Sequence, residues 1–515
     1  MFSARGPNNF LKDLAIGMAL LGGLPAPEGR AEKTSPASTA PNEPPPNAPI
    51  KPEFSSKQVA TLDRKQLLEV AKEAYVWGWP LIYLHQIKGS LERVPYPGVS
   101  GGLPVAPINQ LSMLVDTIKP GAAAIPCANQ DVIYGFGILD LKREPVVIQV
   151  PDFGDRFWLY QLGDQRTDAF GRMGRMYGTR PGCYLVVGPD WDQPTPAGIR
   201  EVVRCPTRCG YFIPRIHFEN SEADRIAAIP VVNQIAAYPL RCFNGSIQIR
   251  SWDHPRWLPN LGRAGRARDV SPDTFFSNFS RVLEDVPPRL GEEEMYARFE
   301  QLASEMRLDP DFAHDVVKAA RGFDQDLIQP LFEFRNVGLQ LRGNWTTISN
   351  GGEFGSDYLT RAAVAKSNPF VNRSNEASYY YLDLDAEGSV LSGEHRYELT
   401  FARGSLPPAR GFWSLTVYDE RHVLPRDLNG RITCGSRDQS LAFNTDGSLT
   451  IIVDRSAAEK GAGVTGPKQS CSNILSAPAG KFSLYLRVYE PYEPAEASHN
   501  GGWSPPAARK CGPTE

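Results

Sequence analysis

Apolar and polar positions alternate in many short runs along this chain, most plainly in the segment FWSLTVY. Trp413, Leu415 and Val417 fall on one side of that run, and Phe412, Ser414, Thr416 and Tyr418 on the other. This period of two predicts a strand with one face in a core. Residues 132–141, 146–150, 157–162 and 183–187 have the same texture, β-branched and aromatic stretches separated by Gly, Pro and Asp. A second series follows at 379–384, 396–401, 449–453 and 482–489. Between the two series the period lengthens. From Ser271 to Glu333 the pattern is helical, with Met295, Phe299, Leu302 and Met306 on one stripe and a break at Pro330. An earlier helix is predicted to start at Asp63, with Gln66 three residues on as a capping partner. Leu67, Ala71, Ala74, Tyr75, Gly78 and Leu81 share its face, and Pro80 is expected to kink or end it. The pattern therefore predicts a mainly β chain with a helical insert: a β-sandwich, a small α-helical module and a C-terminal jelly-roll-like β-sandwich.

The length of 515 residues suits about three domains. Boundaries are expected at 59–260 for a helix plus the first sandwich, 261–345 for the helical module and 346–515 for the second sandwich. Ahead of these, residues 1–31 read as an export signal. Arg5 and Lys12 precede a short apolar run at 14–24, and Gly29 and Ala31 are small residues at a cleavage site. Residues 32–58 are Pro-rich, nearly free of large apolar side chains, and read as a disordered linker. The expected compartment is periplasmic or secreted. There, eight cysteines could pair, and Cys205–Cys209 and Cys434–Cys471 are the local pairs to test. Basic and acidic side chains number 55 and 58, so no global field recruits nucleic acid or anionic membrane. No apolar run reaches the roughly 20 residues of a spanning helix.

Chemical motifs are sparse. The seven histidines are scattered without a paired metal-ligand spacing, and there is no GxSxG elbow and no P-loop. One calcium-like spacing occurs: Asp383, Asp385, Glu387 and Glu394, with Gly388 at the turn. Ca2+ is the one cofactor considered, and an acidic hairpin turn accounts for the same letters without a metal.

Several segments together resemble a bacterial pair of domains of unknown function, numbered 1254 (N-terminal) and 1214 (C-terminal). The N-terminal half carries AYVWGWPLIY (74–83), NQDVIYG (129–135), PVVIQVPDFGDRFWLYQLGD (145–164) and GCYLVVGPDW (182–191). The C-terminal half carries YLTRAAVA (358–365), LSGEHRYELTFARGSLPPARGFWSLTVYD (391–419), DGSLTI (446–451), APAGKFSLYLRVYEP (477–491) and WSPP (503–506). The resemblance implies an immunoglobulin-like N-terminal sandwich, an intervening helical module and a jelly-roll C-terminal domain. This chain departs from the pattern at 472–476, where Asn-Trp-Leu-Pro is usual, and at 428–435, LNGRITCG, where an Asn-Arg-Tyr is usual. If those positions line a pocket, the ligand of this chain differs.

The resemblance motifs hold a polar set. Asn129, Asp131 and Tyr134 stand at the mouth of one strand, Asp155 and Arg156 begin another, and Gln161 and Asp164 close it. Arg361, Glu376 and Tyr379 come from the second half. Asp131 beside Tyr134 would act as a general base, with Arg156 steadying a developing oxyanion in the hydrolysis of an ester, amide or glycosidic bond. The same groups suit a small polar molecule or glycan bound in a cleft between domains, with Trp158 or Trp77 stacked on a sugar face. Three classes stay open: a hydrolase, a non-catalytic binding module of the cell envelope, and a structural protein that assembles as a homo-oligomer.

Overall fold

Asp63 opens the first helix with reciprocal bonds: its carboxylate accepts the Gln66 N–H, and the Gln66 side chain accepts the Asp63 N–H. That helix, α1 (Arg64–Leu91), runs 28 residues straight through Pro80. The proline removes one backbone bond at a cost of about 3 kcal/mol. Burial offsets it, because every residue from 74 to 84 is buried. The one-sided stripe read from the sequence is thus, over residues 74–84, a helix enclosed on all sides.

The computed structural model describes residues 61–121, 126–219, 221–259, 270–426, 428, 430–455, 473–493 and 501–513. The expected export signal and linker, and Cys471, lie outside the described residues. The later helices are α2 (Glu222–Val232), α3 (Pro272–Asp285), α4 (Glu293–Leu308), α5 (Pro310–Phe323) and α6 (Tyr358–Ser367). Helix α1 packs on α3, α4, α5 and α6. Trp77 meets Phe279 and Tyr296 edge-on, and Gly78 admits α3, since a Cβ there would lie 2.8 Å from Phe275 Cζ. The helical module is therefore assembled from three separate stretches of chain. The expected boundaries, with α1 in the first sandwich domain and the module at 261–345, do not describe that packing.

The first sandwich has two sheets. One is ordered Ser112–Met113, Val132–Asp140, Cys209–His217, Trp158–Asp164, Met173–Gly174, all antiparallel. The other is ordered Ala236–Pro239, Val146–Val150, Gly182–Val187, Ile199–Arg204, with the last pair parallel. Ile133, Trp158, Tyr160 and Phe212 of the first meet Ile148, Val150 and Val186 of the second in one core. The strand Cys209–His217 is central yet absent from the sequence reading, because Pro214 argues against a central strand. Its ladder to Val132–Asp140 skips residues 213 and 214. Gly135 makes room there, where a Cβ would come within 2.7 Å of Pro214 Cγ.

The second sandwich pairs a six-stranded sheet (Leu339–Gln340, Thr346–Thr347, Ala377–Leu382, Phe482–Tyr489, Trp413–Asp419, Thr433–Gly435) with a four-stranded one (Ile474–Ser476, Leu449–Asp454, His395–Phe401, Arg509–Pro513). Trp413, Leu415, Val417, Leu484, Leu486 and Val488 enter the core against Leu399, Ile451 and Val453. The opposite face of the six-stranded sheet carries Ser414, Thr416, Tyr418, Tyr485, Arg487 and Tyr489, and it too is buried. The chain is mainly β with a helical insert, as the pattern of periods predicts.

Cys205 and Cys209 are separate buried thiols, so the pair suggested by their spacing is not formed. Burial pushes the Cys209 thiol up to about 12. Cys434 is buried in the second core. Among the described residues no helix is long and apolar enough to cross a membrane.

Candidate functional site

The turn before Val132–Asp140 is organised by Asn129. Its Oδ1 accepts the N–H groups of Asp131 (3.1 Å) and Val132 (3.3 Å), and its Nδ2 donates to the Tyr489 hydroxyl (2.9 Å). This turn directs the Asp131 carboxylate toward the second sandwich. Ser414 Oγ donates to Asp131 Oδ2 at 2.7 Å, and the Tyr489 hydroxyl donates to the same oxygen at 3.1 Å. Strand alternation delivers both partners, since Ser414 and Tyr489 stand on the face turned away from the core. Asp131 is 6% exposed, so these bonds replace water.

A second pair flanks the carboxylate. His217, at the end of Cys209–His217, places Nδ1 3.5 Å from the Asp131 carbonyl and Nε2 2.6 Å from an Arg437 N–H. A guanidinium only donates, so Nε2 accepts and the ring is the neutral Nδ1–H form. Arg437 also donates to the Asp131 carbonyl at 3.3 Å and lies 3.9 Å from Oδ1. Its guanidinium carbon sits 3.6 Å from the centre of the Phe412 ring. Burial lowers the Arg437 pKa, and Asp131 pulls it back up; an arginine remains charged under either influence. Asp131, His217, Ser414 and Arg437 border a groove of about 770 Å3 between the sandwiches, with residues 430–435 along one wall. That wall belongs to the segment in which the chain departs from the resemblance pattern.

The remaining sequence candidates are dispersed. Arg156 does not reach Asp131; its guanidinium grips Asp224 of α2 with two bonds (2.6 and 2.9 Å) and the His217 carbonyl at 3.0 Å. Asp155 is exposed and gives its carbonyl to Arg175. Trp158 lies in the first core, stacked on Phe153, and Trp77 is fully buried in the helical module, so neither meets the groove. Arg361 is completely buried against Asp168 (2.8 Å). Glu376 accepts from Tyr177 (2.7 Å) and pairs with Arg373. Tyr379 donates to Asn372, and with Asn129 and Tyr134 it lines a separate cavity. Asp383 pairs with Arg335. Asp385 pairs with Lys510 and accepts the N–H groups of Glu387 and Ser389, the geometry of a hairpin turn. Among the described residues Asp383, Asp385, Glu387 and Glu394 do not gather as a metal-holding group.

Sequence reasoning singled out Asp131 and missed His217, Ser414, Arg437 and Tyr489. Strand alternation placed Ser414 on the right face. Arg437 sits in a loop and carried no local signal.

Residues 108–239 match the family described as Protein of unknown function (DUF1254), and residues 376–493 match Protein of unknown function (DUF1214). The chain pairs these two domains, in that order. The first match ends with strand Ala236–Pro239, and the second begins just before Ala377–Leu382, so each covers strands of one sandwich. The VPA0106 protein from Vibrio parahaemolyticus shares the fold at 21% identity and TM-score 0.56, over 87% of this chain and 100% of that one. A protein from Burkholderia cenocepacia aligns over 87% of this chain and 95% of that one, at 13% identity and TM-score 0.40. No curated protein matches the chain.

Proposed function

We propose that this chain is an exported protein that holds a small, polar, anionic molecule in the groove between its sandwiches, with Arg437 as the gripping group. Arg437 carries the reading. Its guanidinium is held in place by His217, Asp131 and Phe412, yet its side chain keeps 29% of its exposure at the groove. An arginine fixed on one side and open on the other presents planar donors to a carboxylate or phosphate. The wall at 430–435 would then tune which anion fits. Export rests on the basic and apolar pattern of residues 1–31.

A hydrolase reading rests on a different observation, the 2.7 Å bond from Ser414 Oγ to Asp131. That distance suits a nucleophile and its base, with Arg437 in place of Arg156 as the electrostatic partner of the oxyanion. Asp131 would take the Ser414 proton as the hydroxyl adds to the acyl carbon and the carbonyl electrons move onto the oxyanion. The proton would pass to the departing alcohol or amine as its bond to that carbon breaks, and water would then release the acyl group from Ser414. Asp131→Asn separates the two readings, since it removes turnover from an enzyme and leaves a binding module able to hold its ligand.

The test is native mass spectrometry on the full chain purified from its own host, wild type beside Arg437→Gln. The wild type is expected to carry a small acid that the variant has lost, and to begin after the cleaved signal. A bare wild-type chain, or a mass that both forms retain, contradicts the groove assignment.

A further inference from the structure

On the other side of the Asn129–Asp131 turn lies a second cavity, of about 140 Å3. Arg215 and Arg487 both line it. Arg487 is 2% exposed and donates to the Cys127 carbonyl at 2.5 Å, while its other terminal nitrogen is buried with no acceptor. Arg215 donates to Gln161 and to the Phe370 carbonyl, and its Nε is buried with no acceptor. Among the described residues neither guanidinium has a carboxylate partner. Asp131, two residues beyond Asn129 of this wall, spends its carboxylate on Ser414 and Tyr489.

The aromatic surroundings do not supply the missing negative charge. Arg487 lies 3.9 Å from the Tyr485 ring centre and 5.6 Å from that of Tyr418. Burial pushes both tyrosines, and Tyr489, far above the usual phenol range, so they remain neutral hydroxyls. An unpaired buried charge is costly, and two on one cavity ask for a counter-ion. The backbone is constrained here as well. Cys127 and Phe370 line the cavity with φ of 58° and 65°, a left-handed conformation unusual for a bulky residue. Asn129, Asn368, Tyr134 and Tyr379 add neutral polar groups to the wall. Its apolar part includes Ile87, Leu103, Ile213 and Phe136.

We infer that this cavity is a binding site for a small monocarboxylate, its carboxylate between Arg215 and Arg487 and its apolar body against Ile87 and Leu103. The volume is close to the roughly 150 Å3 that holds one benzene ring. The site is distinct from the groove, and it stands or falls independently of Arg437.

Isothermal titration of the full chain with acetate, butyrate and benzoate, each beside its neutral amide, tests the inference. At least one acid should bind about thirtyfold or more tighter than its amide, benzoate or butyrate ahead of acetate. Arg487→Met should weaken that acid by about a hundredfold. Ile87→Phe fills the apolar end without touching either charge, and it should also abolish binding should Arg487→Met fail to fold. Acids that bind no tighter than their amides overturn the inference. So does an acid whose binding is lost in Arg437→Gln but kept in Arg487→Met, which would put the ligand in the groove.

Discussion

At the junction of the first sandwich and the helical module, Asp164, Asp168 and Glu292 face Arg166, Arg289 and Arg361. Between the sandwiches, Arg215 and Arg487 line a cavity with no carboxylate partner among the described residues. Both regions bury guanidinium groups, and both leave individual N–H groups unpaired, on Arg166 and Arg361 as on Arg487. They differ in charge balance. In the first, each guanidinium has a carboxylate within 3.0 Å and the charges cancel, three against three. In the second they do not cancel, and there is space beside them. A balanced interior is complete as folded and ties three parts of the chain together. An unbalanced one is completed by something from outside. Arg437 stands between these cases, since its carboxylate neighbour is 3.9 Å away and it is open to the groove.

Breaking the balance should produce the largest effect. Asp168→Asn strands Arg361 and leaves Arg289 only Asp164, at 3.5 Å, and it is expected to cost about 3–5 kcal/mol in denaturant unfolding. Arg487→Met, which removes an uncompensated charge, should change stability by no more than about 1 kcal/mol. Equal losses in the two variants would erase the distinction. A pH titration sharpens the same comparison with a smaller effect. Burial, helped by the Asp168 carboxylate, pushes Asp164 up to about 6 against the pull of Arg289. Its folded pKa therefore lies above its unfolded value. The unfolded chain releases this proton first, so stability falls as pH rises from about 4 to about 6 and is level above that. The loss is expected to be about 2–3 kcal/mol, and Asp164→Asn should flatten this part of the profile. An unchanged slope in that variant would assign the pH dependence elsewhere.

Much of the fold was legible because it rests on local periodicity. The alternation in FWSLTVY foretold both faces of Trp413–Asp419, and the pair Asp63 and Gln66 foretold the start of α1. What escaped was decided by tertiary packing. Pro214 sits in a central strand because Gly135 yields space, and Pro80 sits inside a helix because its whole turn is enclosed. The site was half legible for the same reason. Asp131 belongs to a compact motif, but its partners lie 86 residues or more away, at His217, Ser414, Arg437 and Tyr489. Arg156 looked like a partner by proximity in sequence, and its bidentate acceptor, Asp224, is 68 residues away on α2. Trp158 looked like a stacking platform, and strand alternation turned it into the core.

The central claim is that unbalanced guanidinium groups in this molecule mark where anions bind. Crystals of the full chain soaked in bromide and measured at the bromine absorption edge test it most directly. The account predicts anomalous peaks beside Arg437 in the groove and between Arg215 and Arg487 in the cavity, with none at Arg166 and Arg361. Peaks at the balanced cluster, with the groove and the cavity both empty, would contradict it.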